Sequence, residues 1–312
     1  MTPSPAAYRW SLITAVLLMV VWGANFTVTK YVLDRIGVGP FLFLRFLWMP
    51  LLGFALLGLV YRRRWRYAKP KREDWPRFAF CGLVGHALHV GIVTWGINLS
   101  TPFSSALVLT SGPLWTLLIL AALGAEKLRG PQVAGTLAAF GGILLFLSDK
   151  FVAGLARAGV GDVVLLFAAS LFSLYTIVAR PLVTRYGPLL VLTWTLLVGA
   201  PPVLVFTLPA ALALDFASVG WLTWWWAFWA ITVSSFLGWL GWAWVNAVRG
   251  IARTAPLQYL MPPIAAAFSW LTLGETFSWL KVAGAVVVMA GVAWAQFASS
   301  PAARNTTQAD SG

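Results

Sequence analysis

Residues 104–115 read SSALVLTSGPLW, and residues 253–264 read RTAPLQYLMPPI. Aligned 149 positions apart, the two stretches match at Ala106 with Ala255 and at Pro113 with Pro262. Further along the chain, without a gap, the same separation pairs Glu126 with Glu275, Gly135 with Gly284, and Gly142 with Gly291. Matches that recur at one fixed separation are the sequence signature of repeated structural units. The chain is therefore predicted to contain an internal duplication.

The duplication extends back to the first helix of each half. At a separation of 150, Val28 matches Val178 and Lys30 matches Arg180. We therefore predict a division of the chain into a first five-helix repeat at 1–149, a second at 150–298, and a cytoplasmic tail at 299–312.

The composition places these repeats in a membrane. Of the 312 residues, 60% are hydrophobic and 10% are charged, and the mean hydropathy is +0.82. Soluble domains carry about 25% charged residues, so this chain cannot be kept in water. Apolar stretches long enough to cross a bilayer, about 17–25 residues each, recur at 10–31, 40–61, 76–97, 103–124, 131–148, 162–180, 188–210, 220–246, 253–273 and 279–298.

Ten spans give five helices to each copy. Because five is an odd number, the second copy must cross the membrane in the opposite sense to the first. We therefore predict an all-α integral membrane protein of ten transmembrane helices, arranged as two inverted five-helix repeats. Inverted repeats are typical of secondary transporters, whose substrate site lies near the middle of the membrane between the repeats.

The basic residues predict the orientation of the chain. Of the 22 Lys and Arg residues, sixteen lie on the side of the N-terminus, five lie on the other side, and Arg45 lies inside a span. By the positive-inside rule both termini are cytoplasmic, in a multi-pass protein of a bacterial-type inner membrane. The net charge of +13 belongs to short loops and not to one soluble face, so we expect no nucleic-acid partner.

A single cysteine, Cys81, gives no paired-cysteine spacing, and we expect neither a metal nor a cofactor.

Several stretches resemble one family of carriers. They read WGANF at 22–26, SSALVLTSGPLW at 104–115, QVAGTLAAFGGILL at 132–145, WAWVNAVRGIARTAPLQYLMPPIAA at 242–266 and KVAGAVVVMAGV at 281–292. In order and spacing they resemble the EamA-type carriers of the drug/metabolite transporter superfamily, over nearly the whole chain. The resemblance implies ten helices around a central cavity, transport by alternating access and, usually, export of amino acids or related metabolites.

Polar and aromatic side chains inside the predicted spans are the candidates for binding a substrate. Asn25 follows Trp22 by three positions, so ring and amide share one face of the first helix. At the separation of 150, Tyr175 takes the place of Asn25 in the second repeat. We predict that the substrate-binding residues are Trp22, Asn25, His86, His89, Tyr175, Trp239, Gln258 and Tyr259. For Gln258, a hydrogen bond between helices is an equal alternative.

His86 and His89 are three positions apart and share a face of the third span. Ionisable side chains inside a membrane are costly, which makes the pair a functional candidate that titrates near neutral pH. The alternative is that each imidazole bonds to a carbonyl of an adjacent helix. A membrane-embedded enzyme built on the two histidines is a further hypothesis. It lacks a nucleophile, a metal-ligand motif and an acidic partner within a span, so we predict that the chain is not an enzyme.

Prolines and charges within or beside the spans complete the candidates. Pro113 and Pro262 fall near the middle of spans, where proline kinks a helix. We predict that they are hinges, and the alternative is that they are simple packing kinks. Arg45 either extends to the membrane interface or faces inward, where its guanidinium would anchor a substrate carboxylate. Glu126 and Glu275 flank helix ends on opposite membrane faces and are predicted to cap the helix that follows each of them.

The sequence as a whole predicts a secondary transporter that exports a small metabolite by alternating access. We expect the cargo to be an amino acid or a related amphipathic or aromatic compound. The alternatives are a multidrug or cation carrier and a carrier of a lipid-linked substrate. The expected partners are the small-molecule substrate and membrane lipid, and the chain is expected to be a monomer or a weak homodimer.

Overall fold

The computed structural model describes residues 4–124, 130–152, 157–249 and 254–297. Within these ranges the chain is helical and contains no β-strand, which confirms the predicted all-α class. The first helices are α1 (Pro5–Ile36), α2 (Val38–Tyr61), α3 (Trp75–Phe80), α4 (His89–Leu99), α5 (Pro102–Leu109) and α6 (Gly112–Ala122). They are followed by α7 (Gly130–Val152), α8 (Arg157–Tyr186), α9 (Pro188–Leu212), α10 (Trp221–Phe228), α11 (Gly238–Arg249), α12 (Met261–Leu273) and α13 (Trp279–Phe297).

Eight helical segments in the described ranges are long and apolar enough to cross a membrane, and Trp279–Ala295 of α13 is a shorter apolar helix. The ninth predicted span, 253–273, begins outside the described residues and continues as a 3₁₀ turn at Ala255–Leu260 followed by α12. The chain is thus a multi-pass membrane protein, while the count of ten spans stays a prediction.

The duplication is visible in the backbone geometry. Gly37 precedes α2 with a φ of 81°, and Gly187 precedes α9 with a φ of 79°, 150 positions later. This left-handed region of φ favours glycine, because any other side chain is strained there. The fourth span and its counterpart also break at equivalent places, since α6 begins at Gly112 and α12 begins at Met261, 149 positions later.

The packing of α7 against α13 confirms that the two repeats are inverted. A Cβ added at Gly135 would lie 2.6 Å from the Ala295 amide nitrogen, and one added at Gly284 would lie 2.5 Å from the Phe146 amide nitrogen. The start of α7 therefore meets the end of α13, so these equivalent helices run antiparallel. Small residues let membrane helices approach this closely, and Gly142 and Gly291 repeat the contact in the middle of the pair.

Glu275 caps a helix, but a different one from the helix expected. Its Oε2 accepts a hydrogen bond from the Phe103 amide at 3.4 Å, at the N-terminus of α5 in the other repeat. The following helix, α13, instead has the Ser278 hydroxyl at its start, which accepts from the Lys281 amide at 3.2 Å. The sequence could not reveal this contact because the two partners lie 172 positions apart. Glu126 lies outside the described residues.

Ion pairs at the opposite end of the bundle hold α8 beside the segment that precedes α3. Arg185 donates to Asp74 Oδ2 at 2.7 Å and to Glu73 Oε1 at 2.6 Å. The Tyr186 hydroxyl donates to the same Asp74 oxygen at 2.5 Å. These contacts fix the register between α8 and the third span, which together carry most of the rings described below.

Candidate substrate cavity

A cavity of about 160 Å³ lies in the interior of the helix bundle. Both repeats contribute to its wall, the first through α1, α2, α4 and α5, and the second through α8, α11, α12 and the segments that precede α11 and α12. The lining side chains are Trp22, Asn25, Phe26, Thr29, Arg45, His89, Val90, Val93, Thr94, Ile97, Leu109, Ala169, Phe172, Ser234, Ser235, Trp239, Gln258 and Met261.

The cavity is displaced toward one end of the bundle. Its lining reaches Ile97, two residues before the end of α4, and Thr29, seven residues before the end of α1. On α11 the lining reaches no further than Trp239, ten residues before the end of that helix, which is about 15 Å, and Gln258 lines the cavity from the turn before α12. The space therefore approaches the face of the bundle at which α1 and α4 end.

Five rings form one wall of the cavity and the layer beneath it, which we call the aromatic layer: His86, His89, Phe172, Tyr175 and Trp239. Trp239 lies at its centre, with ring centroids 4.9 Å from His86, 5.6 Å from Tyr175 and 5.7 Å from Phe172. His89, Phe172 and Trp239 face the cavity, whereas Tyr175 does not line it. Tyr175 therefore lies behind the rings that face the cavity.

The two histidines have different surroundings. His89 Nδ1 lies 2.9 Å from the Ala168 carbonyl oxygen of α8, which is the interhelical bond considered as the alternative for this residue. His86 is buried between Tyr175 and Trp239, and its Nε2 has no hydrogen-bond partner among the described residues. His86 lines only a narrow space beside the main cavity, together with Arg45 and Trp239.

Widened helical turns in equivalent spans shape the wall of the cavity. Residues Cys81–Leu88 and Trp229–Leu237 are π-helical, and they join α3 to α4 and α10 to α11. Such turns are rare and concentrate at functional sites. In the second segment the Ser234 carbonyl accepts a hydrogen bond from Trp22 Nε1 at 2.9 Å, which connects α1 to the opposite repeat.

Glycine in the first π-helical segment makes room for the aromatic layer. A Cβ added at Gly85 would lie 2.1 Å from Tyr175 Cδ2, so only glycine allows the tyrosine ring to lie beside His86. The sequence alone does not predict these segments. The available signals were Gly82 and Gly85 in one apolar span, and Ser234 and Ser235 in the other.

The structure brings most of the predicted binding residues together. Five of the eight line the cavity, namely Trp22, Asn25, His89, Trp239 and Gln258. His86 and Tyr175 belong to the aromatic layer behind them. Tyr259 does not line the cavity: it packs against the hydrophobic cluster formed by α5, α6, α7 and α13, and its buried hydroxyl has no hydrogen-bond partner among the described residues.

The two predicted hinge prolines lie at helix starts and not at kinks within continuous helices. Pro113 is the second residue of α6, and Pro262 is the second residue of α12. Proline is favoured in the first turn of a helix because the amide that it lacks would have no partner there. The Ser173 hydroxyl of α8 donates to the Gly112 carbonyl at 2.7 Å, which supplies a partner beside the break.

Arg45 faces inward. It lines the main cavity and the narrow space beside His86, so the interior orientation is the one adopted. Among the described residues no hydrogen bond or ion pair is made by its guanidinium group. The sequence left this orientation open, because the second span is apolar on all sides.

Known proteins share both the fold and the sequence pattern of this chain. One crystal structure matches 94% of this chain and 99% of its own length with a TM-score of 0.64, at 17% sequence identity, which shows a common fold. A probable terminal-alkyne amino-acid exporter of Streptantibioticus cattleyicolor is 28% identical, covering 91% of each chain. A probable amino-acid metabolite efflux pump of Escherichia coli is 27% identical, over 90% of this chain and 92% of that protein.

The model of the EamA-like transporter family matches the chain twice, at residues 9–148 and 159–296. The two matches fall on the two halves that are related by the repeated glycines and by the antiparallel packing of α7 and α13. Together they cover most of the 312 residues. The chain belongs to the EamA-like transporter family.

Proposed function

We propose that this protein is a secondary transporter that exports a small metabolite, an amino acid or a related amphipathic or aromatic compound, by alternating access. The observation that carries the proposal is the cavity between the two inverted repeats, whose wall is formed by side chains of both repeats. In transporters of this architecture, one repeat moves against the other around a central site. The names of the similar proteins, exporter and efflux pump for amino acids, favour the same class of cargo.

The proposed location is the inner membrane, with both termini in the cytoplasm. The excess of Lys and Arg on the side of the termini supports this orientation. The face at which α1 and α4 end is then the outer face. A cavity displaced toward that face corresponds to the conformation from which an exporter releases its cargo.

We assign the contact with cargo to the predicted residues that line the cavity: Trp22, Asn25, His89, Trp239 and Gln258. His86 and Tyr175 support Trp239 from behind. Tyr259 does not line the cavity and is assigned no contact with cargo. The helix breaks before Pro113 and Pro262 are the proposed hinges. We propose transport without enzymatic chemistry or nucleic acid, by a monomer or a weak homodimer.

Counterflow in proteoliposomes tests the proposal. Vesicles that contain the purified chain and a high internal concentration of unlabelled substrate are diluted into a labelled trace of the same compound. The panel contains amino acids, nucleobases and cationic drugs. The proposal expects saturable uptake for at least one small amphipathic metabolite, and the absence of saturable flux for every compound would contradict it.

A matched pair of variants shows whether that flux passes through the cavity. Val93 lines the cavity on α4, whereas Val286 on α13 is 61% exposed on the outside of the bundle. Val93→Trp fills the space and should abolish counterflow, while Val286→Trp should retain the wild-type rate. Equal flux through both variants would contradict a route through the cavity.

A further inference from the structure

The cavity contains one charged side chain, that of Arg45. Its wall includes no Asp or Glu within the part of the chain that is described. The acidic groups whose contacts are resolved lie near helix ends, such as Asp34 beside Lys30 and Asp74 beside Arg185. The cavity therefore contains a permanent positive charge, and no described residue of its wall supplies the negative charge that would balance it.

An unbalanced charge inside a membrane protein is unfavourable, and intramembrane arginines are ordinarily paired or lie in a functional site. Arg45 has no ion pair or hydrogen bond with the described residues, so its five N–H donors are available to a ligand. The planar guanidinium matches the two oxygens of a carboxylate and binds them in a bidentate manner. A cargo that carries a carboxylate would supply the missing charge.

The rest of the wall defines the other end of the ligand. Trp22, Phe172 and Trp239 offer aromatic surface to an apolar side chain. Asn25 donates its amide to Thr29 Oγ1 at 3.1 Å, while its Oδ1 is buried and has no hydrogen-bond partner among the described residues. This acceptor suits an N–H donor of the ligand. The volume of about 160 Å³ is below the roughly 300–1,000 Å³ typical of drug-sized pockets, which favours a small metabolite.

We propose that Arg45 anchors the carboxylate of the cargo, and that the cavity selects small carboxylic acids with an apolar side chain, amino acids among them, over organic cations. This inference rests on the proposed transport function. It also decides against a cation carrier, because an organic cation would meet the like charge of Arg45 with no acidic group to offset it. Asn25 Oδ1 then accepts a hydrogen bond from the amino group of an amino acid.

The test compares compounds that differ only at the carboxylate. Leucine, methionine and phenylalanine are each measured in counterflow beside their amides and their decarboxylated amines, with the wild-type chain. Loss of one partner from a buried charge pair costs about 2–5 kcal/mol, so the acid should exceed its amide and its amine in kcat/KM by about 30-fold or more. Amides or amines carried as efficiently as the acids would overturn the proposal.

Variants of the arginine separate binding from folding. Arg45→Gln should lower kcat/KM for the acids by about 30-fold or more and leave the amides within about twofold, so that selectivity disappears. Arg45→Lys keeps the charge but not the bidentate geometry and should retain part of the selectivity. The control is Arg35→Gln, since Arg35 is exposed and stacks on Tyr31 outside the cavity, and it should behave like the wild type.

The outcomes distinguish this inference from the function on which it rests. A uniform loss for acids, amides and amines in Arg45→Gln would assign Arg45 a structural role and overturn the inference. Saturable flux of cations without flux of acids in the wild type would overturn the inference and leave the carrier function intact. If the variant does not fold, the comparison of acid, amide and amine in the wild type still decides the question.

Discussion

Trp22 is a single side chain that connects the two repeats at the cavity. Its indole N–H donates to the Ser234 carbonyl at 2.9 Å, and its ring lies 5.6 Å from that of Trp242. The donor comes from α1 of the first repeat and the acceptor from the π-helical segment of the second. A movement of one repeat against the other must change this contact, so we expect it to influence the transport rate more than the stability.

Substitution of the ring alone tests this contact. Trp22→Phe removes the donor but keeps an aromatic surface, and a hydrogen bond between membrane helices contributes only about 0.6 kcal/mol on average. We expect a nearly unchanged thermal unfolding temperature and a several-fold change in the counterflow rate. Trp10→Phe is the control, because Trp10 lies on the same helix with 57% of its surface exposed. Indistinguishable rates for the two variants would contradict a role for this bond in transport.

The sequence predicted that Trp22 and Asn25 share a face but did not predict the orientation of Arg45, and one physical reason explains the difference. Helical spacing placed Trp22 and Asn25 on a common face, and both line the cavity. The orientation of Arg45 could not be predicted, because α2 is apolar toward lipid and toward the bundle alike. A soluble helix shows a polar face that reveals its direction, whereas a membrane helix surrounded by lipid and protein does not.

The antiparallel pair of α7 and α13 is the element that joins the ends of the two repeats. The contact depends on glycine at equivalent places, with a Cβ at Gly142 only 2.6 Å from the Val288 amide nitrogen. Gly141, the next residue along α7, has no atom within 4 Å of an added Cβ. The two neighbouring glycines therefore form a matched pair, one at the contact and one facing away.

Leucine at these two positions should have opposite outcomes. Gly142→Leu forces the helices apart, and overpacking of this kind costs about 1–3 kcal/mol or more. We expect a thermal unfolding temperature several degrees lower in detergent, together with reduced recovery of monodisperse protein. Gly141→Leu should match the wild type, and equal unfolding temperatures for the two variants would contradict the close antiparallel contact.

The sequence predicted the positions of the helices better than the breaks and π-helical turns within them. The apolar stretches predicted where the described helices occur, but the sequence did not predict the π-helical segments or the division of the fourth span into α5 and α6. A π-helical turn changes the hydrogen-bond partner of a few amides without changing the hydrophobic pattern. Pro113 was expected to kink a continuous helix, but it lies in the first turn of α6, because the backbone turns at Thr110 and Ser111 just before this helix.

The inversion of the repeats relates one end of the helix bundle to the other. The cavity approaches the end that contains Thr29 and Ile97. At separations of 150 and 149, the equivalents of these residues are Ala179 and Asn246, which lie toward the opposite end of the bundle. If the repeats exchange their conformations, the cavity should open around Ala179 and Asn246 instead. Repeat matching and the odd number of spans predicted this symmetry, whereas the direction of the opening required the structure.

Alternating access requires that one site becomes accessible from each face of the membrane in turn. A single cysteine at Val93, which lines the cavity, in a Cys81→Ala background allows this to be measured with a membrane-impermeant thiol reagent. The reagent is applied to the outside of right-side-out vesicles and, separately, to inside-out vesicles, with and without a transported compound. Alternating access predicts modification of Val93→Cys from both sides and protection by the compound in both preparations. Modification from one side only, or from neither, would contradict it.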